Sequence, residues 1–273
     1  MRFSIMMLVA AVAWQGCLSA DFRVPTDAII VCDGDRDCPD GWICPGALQV
    51  CIEPSNDILA PAFVAGSNSV TPAAANQGSA IIAAFEVTEA LAFLPVVRLE
   101  PAPESETIFE AIFELTGGSA PEYSFTYDVT GDEPEQLYSV LVDLVDEAGN
   151  VVTLTVGQTT IDFTAPSLVG TATVTPAPPE TAGCGNLDPL PPCDTVTLEF
   201  VVSELLSKAD ARLNTTPARA LIPSAVDGVN YTFTYLVAGD EPEGLRGIQI
   251  ELTDLAGNTA QVSGGDVSID HLP

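Results

Sequence analysis

Residues 125–150 read FTYDVTGDEPEQLYSVLVDLVDEAGN, and residues 233–258 read FTYLVAGDEPEGLRGIQIELTDLAGN. Tyr231 follows Tyr123 by 108 residues, and Asp270 follows Asp162 by the same interval. The span from 123 to 162 aligns with its second copy without a gap, and about half of its positions are identical. Repetition at this interval marks a duplicated unit. Inside each copy the hydrophobic period is two. Tyr231, Phe233, Tyr235 and Val237 alternate with Thr232 and Thr234, and Val196, Leu198, Phe200 and Val202 alternate with Thr197 and Glu199. Ile248, Ile250 and Leu252 repeat the pattern of Val140, Val142 and Leu144. Alternation of this kind predicts strands with one face on a core and the other in water.

Upstream the copies match through small gaps. DILAP from Asp57 answers DFTAP from Asp162, FEVTEAL from Phe85 answers FVVSELL from Phe200, and Arg98-Leu99 answers Arg212-Leu213. This bounds one domain at 57–163 and a second at 164–273. About seven strands per copy, with turn signals between them and no sustained helical period, predict an immunoglobulin-type β-sandwich. The buried cysteine pair and tryptophan of antibody domains are absent. The Asp-x-x-Ala-Pro entrances, the phenylalanine strand followed by TEA or SEL, and DEAGN or DLAGN resemble the bacterial Ig-like repeats of surface adhesins and lipoproteins. That resemblance covers residues 57–273 and implies a surface protein of tandem sandwiches. The expected fold is therefore all-β: two tandem immunoglobulin-like β-sandwiches preceded by a small disulfide-rich module.

The module is the segment 32–54. Cys32, Cys38, Cys44 and Cys51 lie too far apart for the close ligand pairs of a zinc site. In an exported chain they predict two disulfides, for which three connectivities are open. The spacing resembles the short four-cysteine modules near the N-termini of surface lipoproteins of delta-type proteobacteria. Asp33, Asp35 and Asp37 open like a calcium loop, yet Cys38 and Cys44 stand where an EF-hand needs its glycine and its bidentate glutamate. Cys184 and Cys193 bracket a Pro- and Gly-rich insertion and predict a third disulfide.

Export is read from the N-terminus: Arg2, an apolar run from Ile5 to Ala13, and small residues before Cys17, too short to span a bilayer. Gly16-Cys17 resembles the end of a bacterial lipobox, although Trp14 and Gln15 depart from its usual residues. The resemblance implies a signal segment 1–16, a lipid-bearing Cys17 and a linker 17–31. Of seven cysteines, removing Cys17 leaves an even six. Leu18, which is not aspartate, implies the outer membrane by the enteric sorting rule. The protein is expected to touch membrane only through that lipid.

The charge balance is extreme, with 38 acidic residues against 8 basic ones and a formal net charge of −30. Such a chain repels nucleic acid and anionic lipid, and it suits divalent cations and salty media. Catalysis has little to work with. His271 is the only histidine; it lies near the C-terminus and reads as a frayed tail residue, so no Ser-His-Asp relay or histidine metal site is expected. The expected role is non-enzymatic: a stalk or adhesion scaffold with a protein or glycan partner, the alternative being a carbohydrate-binding or periplasmic assembly module.

GDEPE and the two AGN segments read first as turns, with Gly239 and Gly257 at the bends. One domain cannot bring both acidic turns onto a single ion, because the strand between them, nine residues at ~3.3 Å each, separates them by roughly 30 Å. Across the junction they can meet. Asp132, Glu133, Glu135, Asp162, Asp254 and Asn258 are therefore candidates for an interdomain calcium site, with solvated turns as the alternative. Calcium in that position stiffens the tandem domains of the adhesin repeats and cadherins that these resemble. No other cofactor is expected.

Overall fold

The computed structural model describes residues 30–44, 49–53, 57–102, 109–178, 180–184 and 193–271. Cys17, the signal segment and most of the linker lie outside these residues. The chain divides into two compact units, Met1–Pro54 and Ser55–Pro273. Two tandem immunoglobulin-like β-sandwiches fill the second.

In the first unit, Cys32 bonds Cys44 and Cys38 bonds Cys51. Of the three open connectivities, the interleaved one forms. One 3-10 turn, Asp35–Asp37, precedes Cys38. Its acidic residues serve local backbone: Asp35 accepts the Cys44 amide at 2.8 Å and Asp37 accepts the Asp33 amide at 3.0 Å. A 23-residue module has little apolar surface to bury, so crosslinks supply its order.

The first sandwich is built from β1 (Ser69–Thr71), β2 (Ala74–Ala75), β3 (Ala80–Glu86), β4 (Val96–Pro101), β5 (Ala111–Ile112), β6 (Glu114–Ser119), β7 (Glu122–Asp128), β8 (Gln136–Val145) and β9 (Val151–Ile161). Its sheets run β1-β3-β7-β6 and β2-β9-β8-β4-β5. The second sandwich comprises β10 (Thr173–Thr175), β11 (Thr181–Ala182), β12 (Thr195–Val201), β13 (Leu206–Leu213), β14 (Arg219–Asp227), β15 (Asn230–Leu236), β16 (Gly244–Asp254) and β17 (Thr259–Ile269). Here β14 pairs with β15 through Ile222–Asp227 and with β13 through Arg219–Leu221, so one strand does the work of β5 and β6 and links the two sheets. In both copies the first edge is split. β1 and β10 pair antiparallel with β3 and β12, then β2 and β11 cross to pair parallel with β9 and β17. Pro72 and Pro176 stand between the halves, where a residue with no N–H ends a ladder.

Two separate cores result. The first gathers Ile81, Phe85, Leu99, Phe125, Tyr138 and Val142; the second gathers Leu198, Phe200, Leu213, Phe233, Ile250 and Ile269. Where antibody domains hold cystine and tryptophan, aromatic rings stack instead. Phe85 lies 6.0 Å from Phe125, and Phe200 lies 5.4 Å from Tyr231 and 5.8 Å from Phe233. Each such buried ring contributes about 1.5–3 kcal/mol from burial alone. The expected alternation is borne out along β8, where Tyr138, Val140, Val142 and Leu144 are fully buried.

Candidate junction site

Each copy turns its two acidic loops in opposite directions because β8 and β16 run the length of a sandwich. At one end lies GDEPE, where Gly131 and Gly239 take positive φ (97° and 85°). Glu133 is only 3% exposed. Its Oε1 accepts hydrogen bonds from the Tyr127 hydroxyl at 2.5 Å, the Thr130 amide at 2.9 Å and the Thr130 hydroxyl at 3.0 Å, and its Oε2 accepts from the Gly131 amide at 2.8 Å. Glu241 repeats the arrangement with Tyr235, Ala238 and Gly239. Burial works against the Glu133 charge, but the converging donors outweigh it and hold the carboxyl down at about 2. The same burial and the adjoining carboxylate push the Tyr127 phenol up.

At the other end stand DEAGN and DLAGN, where Gly149 and Gly257 also take positive φ. Asp254, 1% exposed, accepts the Gly257 amide at 2.7 Å and the Asn258 amide at 2.8 Å on Oδ1, and the Asn258 side-chain amide at 2.8 Å on Oδ2. Asn258 Nδ2 also donates to the Asp162 carbonyl at 2.9 Å. Asn150 does the same at the first entrance, donating to Asp146 and to the carbonyls of Asp57 and Leu59. The hairpin asparagine therefore ties each domain to its own entrance segment.

The junction, where the interdomain linker 162–164 passes from one sandwich to the next, joins both ends. Glu135, from the first domain's GDEPE, accepts the Phe163 amide at 2.5 Å and the Thr164 hydroxyl at 3.0 Å. Phe163 packs against the first domain's core. From the second domain, Gly257 approaches the β2–β3 turn so closely that a Cβ there would lie 3.4 Å from Asn76 Nδ2.

Three carboxylates converge here: Asp162, Glu204 and Asp254 bring ligand oxygens within 4.8 Å of one another. Asp57, Glu89 and Asp146 form the same group at the first entrance. Burial, then the charges of Asp162 and Asp254, raise the Glu204 carboxyl above its usual range; burial, Asp146 and Asp57 do so for Glu89. Asp162, Glu204 and Asp254 make no ion pair among the described residues.

Of the six candidates, the structure brings the side chains of Asp162 and Asp254 together and places Asn258 as the residue that orients the Asp254 carboxylate and holds the Asp162 backbone carbonyl. Glu135 reaches the same linker but caps its backbone. Glu133 is committed to its own loop, and Asp132 is exposed beside it. Glu204 was missed, although its position in SEL, matching Glu89 in TEA, belongs to the repeat. The tail reading of His271 is corrected: its Nε2 lies 3.0 Å from the Glu241 carbonyl and the side chain is 17% exposed.

The donor set is hard oxygen, which suits calcium and not a soft metal. Two of three carboxylates come from the second domain and one from the linker. Asp254 has already spent three acceptor positions on its turn, so Asp162 and Glu204 would supply most of the protein's share, with water completing the shell.

No protein-family model matches this chain. No curated protein matches it either. Among solved structures it is similar to a tetra-tandem repeat in the extending region of a large adhesion protein, at 17% identity and a TM-score of 0.35, covering 74% of this chain and 48% of that one. This chain thus spans about half of that protein's length. It is similar also to fibronectin(III)-like modules of Clostridium thermocellum CbhA, at 13% identity and 0.36 over 77% of this chain and 94% of that one. A third is an adhesin described as Ca2+-stabilized that helps an Antarctic bacterium reach out and bind ice, at 18% identity and a TM-score of 0.35 over 77% of this chain and 50% of that one.

Proposed function

We propose that this chain is an exported, non-enzymatic surface protein, anchored by a lipid on Cys17, whose tandem sandwiches act as a stalk or adhesion scaffold for a protein or glycan. The observation that carries the reading is the clamped junction. Glu135 from one side and Asn258 from the other grip the same linker backbone, which removes freedom that a flexible linker would keep. A scaffold that holds a contact surface away from a membrane needs such a joint. The signal-like segment, the three disulfides and the acidic surface support an extracytoplasmic setting.

Calcium at Asp162, Glu204 and Asp254 belongs to this proposal. The ion would offset the burial and the Asp162 and Asp254 charges that together raise the Glu204 carboxyl, and would tie the linker to the second domain, stiffening the joint further. Palmitate labelling with envelope fractionation tests the anchor: label in the wild type and none in Cys17→Ala is expected, and a soluble, unlabelled wild type overturns it. Calorimetric titration tests the ion. Saturable calcium heat that disappears in Glu204→Gln is expected, and the substitution spares the fold because among the described residues the Glu204 side chain accepts one hydrogen bond, from Ser203. No heat in the wild type ends the calcium reading and leaves the scaffold reading standing.

A further inference from the structure

The two sandwiches differ on the outer face of the sheet that carries the repeated arginine, Arg98 in the first copy and Arg212 in the second. In the first, Arg98 is consumed by its neighbours, bonding Glu100 at 2.7 Å and pairing with Asp143. In the second, β13, β16 and β17 set Arg212 opposite Gln249, Asp210 opposite Glu251, and Glu251 opposite Gln261. Asn214 replaces the glutamate beside the arginine. Among the described residues Arg212 makes no hydrogen bond and no ion pair. Two shallow grooves meet on this face, sharing Gln249 and Gln261: one of about 180 Å³ lined by Asp210, Arg212 and Glu251, the other of about 330 Å³ extending to Asn214 and Ser263.

We infer that this face of the second domain is a binding site for a neutral oligosaccharide. A guanidinium that only donates and a carboxylate that only accepts line one groove without touching. A hydroxyl both donates and accepts, so neighbouring hydroxyls of a sugar fit between Arg212 and Glu251. An anionic ligand meets Glu251 and Asp210; a cationic one meets Arg212 and Lys208, and Lys208 already holds Asp210 at 2.6 Å. The amides complete the set. Gln249 Nε2 donates to Gln261 Oε1 at 3.0 Å, which fixes the pair and leaves the outer carbonyl of one and the outer N–H of the other for the ligand. Together the grooves are of the size of small-molecule clefts, roughly 300–1,000 Å³. No aromatic side chain lines them, so recognition rests on hydroxyl hydrogen bonds and not on ring stacking, and affinity is modest. The first domain, with Val96, Leu141 and Ile112 around a neutralised Arg98, lacks the site.

This rests on the surface-scaffold reading only in naming what the scaffold contacts, and the test avoids both lipid and calcium. The purified full chain in EDTA is titrated by calorimetry with gluco-, cello-, manno-, xylo-, galacto- and chito-hexasaccharides and with an oligogalacturonate. Saturable binding of at least one neutral oligosaccharide is expected, weakened about tenfold or more by Arg212→Gln and by Gln261→Ala and unchanged by Arg98→Gln. Unaltered melting temperatures of the two weakened variants separate lost recognition from lost folding. Silence toward every neutral oligosaccharide at roughly 10 mM overturns the assignment, as does stronger binding of the galacturonate or binding that survives both variants.

Discussion

Glu133 and Glu204 are both carboxylates in loops, yet their environments act on them with opposite sign. Glu133 is surrounded by donors, and its folded value of about 2 lies below the ordinary 4.5. Its contribution is therefore fully present above pH 4.5 and lost as the pH falls toward 2, amounting to about 3 kcal/mol at one pH unit per 1.36 kcal/mol. Denaturant unfolding between pH 7 and pH 2 should show that loss, and Glu133→Gln should remove this part of the slope. Glu133→Ala, which orphans the Tyr127 hydroxyl and two backbone amides, should cost about 2–4 kcal/mol at neutral pH. Glu204 is instead raised, so its ionisation weakens the folded state as the pH climbs through and above 4.5. Glu204→Gln should accordingly raise the melting temperature of the calcium-free protein at pH 7, and a fall would contradict a charge held there against burial and its two acidic neighbours. Neither sign was legible in the sequence. GDEPE reveals two glutamates two residues apart, but which one folds back under Tyr127 and which one reaches the linker depends on the bend at Gly131.

At the scale of elements, the hydrophobic alternation and the 108-residue interval were enough for the strands, because a buried face imposes period two whatever the neighbours are. The junction was half legible for a related reason. Strand direction says which loops meet at a domain boundary, whereas Glu204 enters from the link between β12 and β13, whose approach to the hairpin is a matter of packing. Asn258 carries the consequence: Asn258→Ala should cost about 1–2 kcal/mol and loosen the joint, detected as added protease cleavage near Thr164, while Asn150→Ala leaves that cleavage unchanged. The insertion bracketed by cysteines makes a contrasting case. Cys184 and Cys193 are bonded, and the Cys184 side chain stands against Gly239 where the first copy places Gln77 against Gly131. Closing a loop of this length contributes about 2–3 kcal/mol by restricting the unfolded chain. Converting both cysteines to alanine should therefore lower the second sandwich's calorimetric transition and leave the first's in place; a common shift of both would show that the two sandwiches unfold as one.

Across the whole molecule, a net charge of −30 makes self-repulsion a general term in stability, separate from any site. Sodium chloride should raise the denaturation midpoint, since screening shortens from roughly 10 Å at 0.1 M to roughly 3 Å at 1 M. Site binding has a different signature. About 1 mM calcium added at 0.1 M salt scarcely changes the ionic strength, yet a site filled at 100 times its dissociation constant adds about 2.7 kcal/mol. Magnesium at equal concentration reproduces the screening and, because it holds its waters and demands octahedral geometry, not the crowded carboxylates. The expected result is a calcium-specific rise superimposed on a salt rise, both present in the wild type and only the salt rise present in Glu204→Gln. If magnesium matches calcium and the variant keeps the full effect, the acidic groups act through their summed field, and the clamp of Glu135 and Asn258 alone sets the joint.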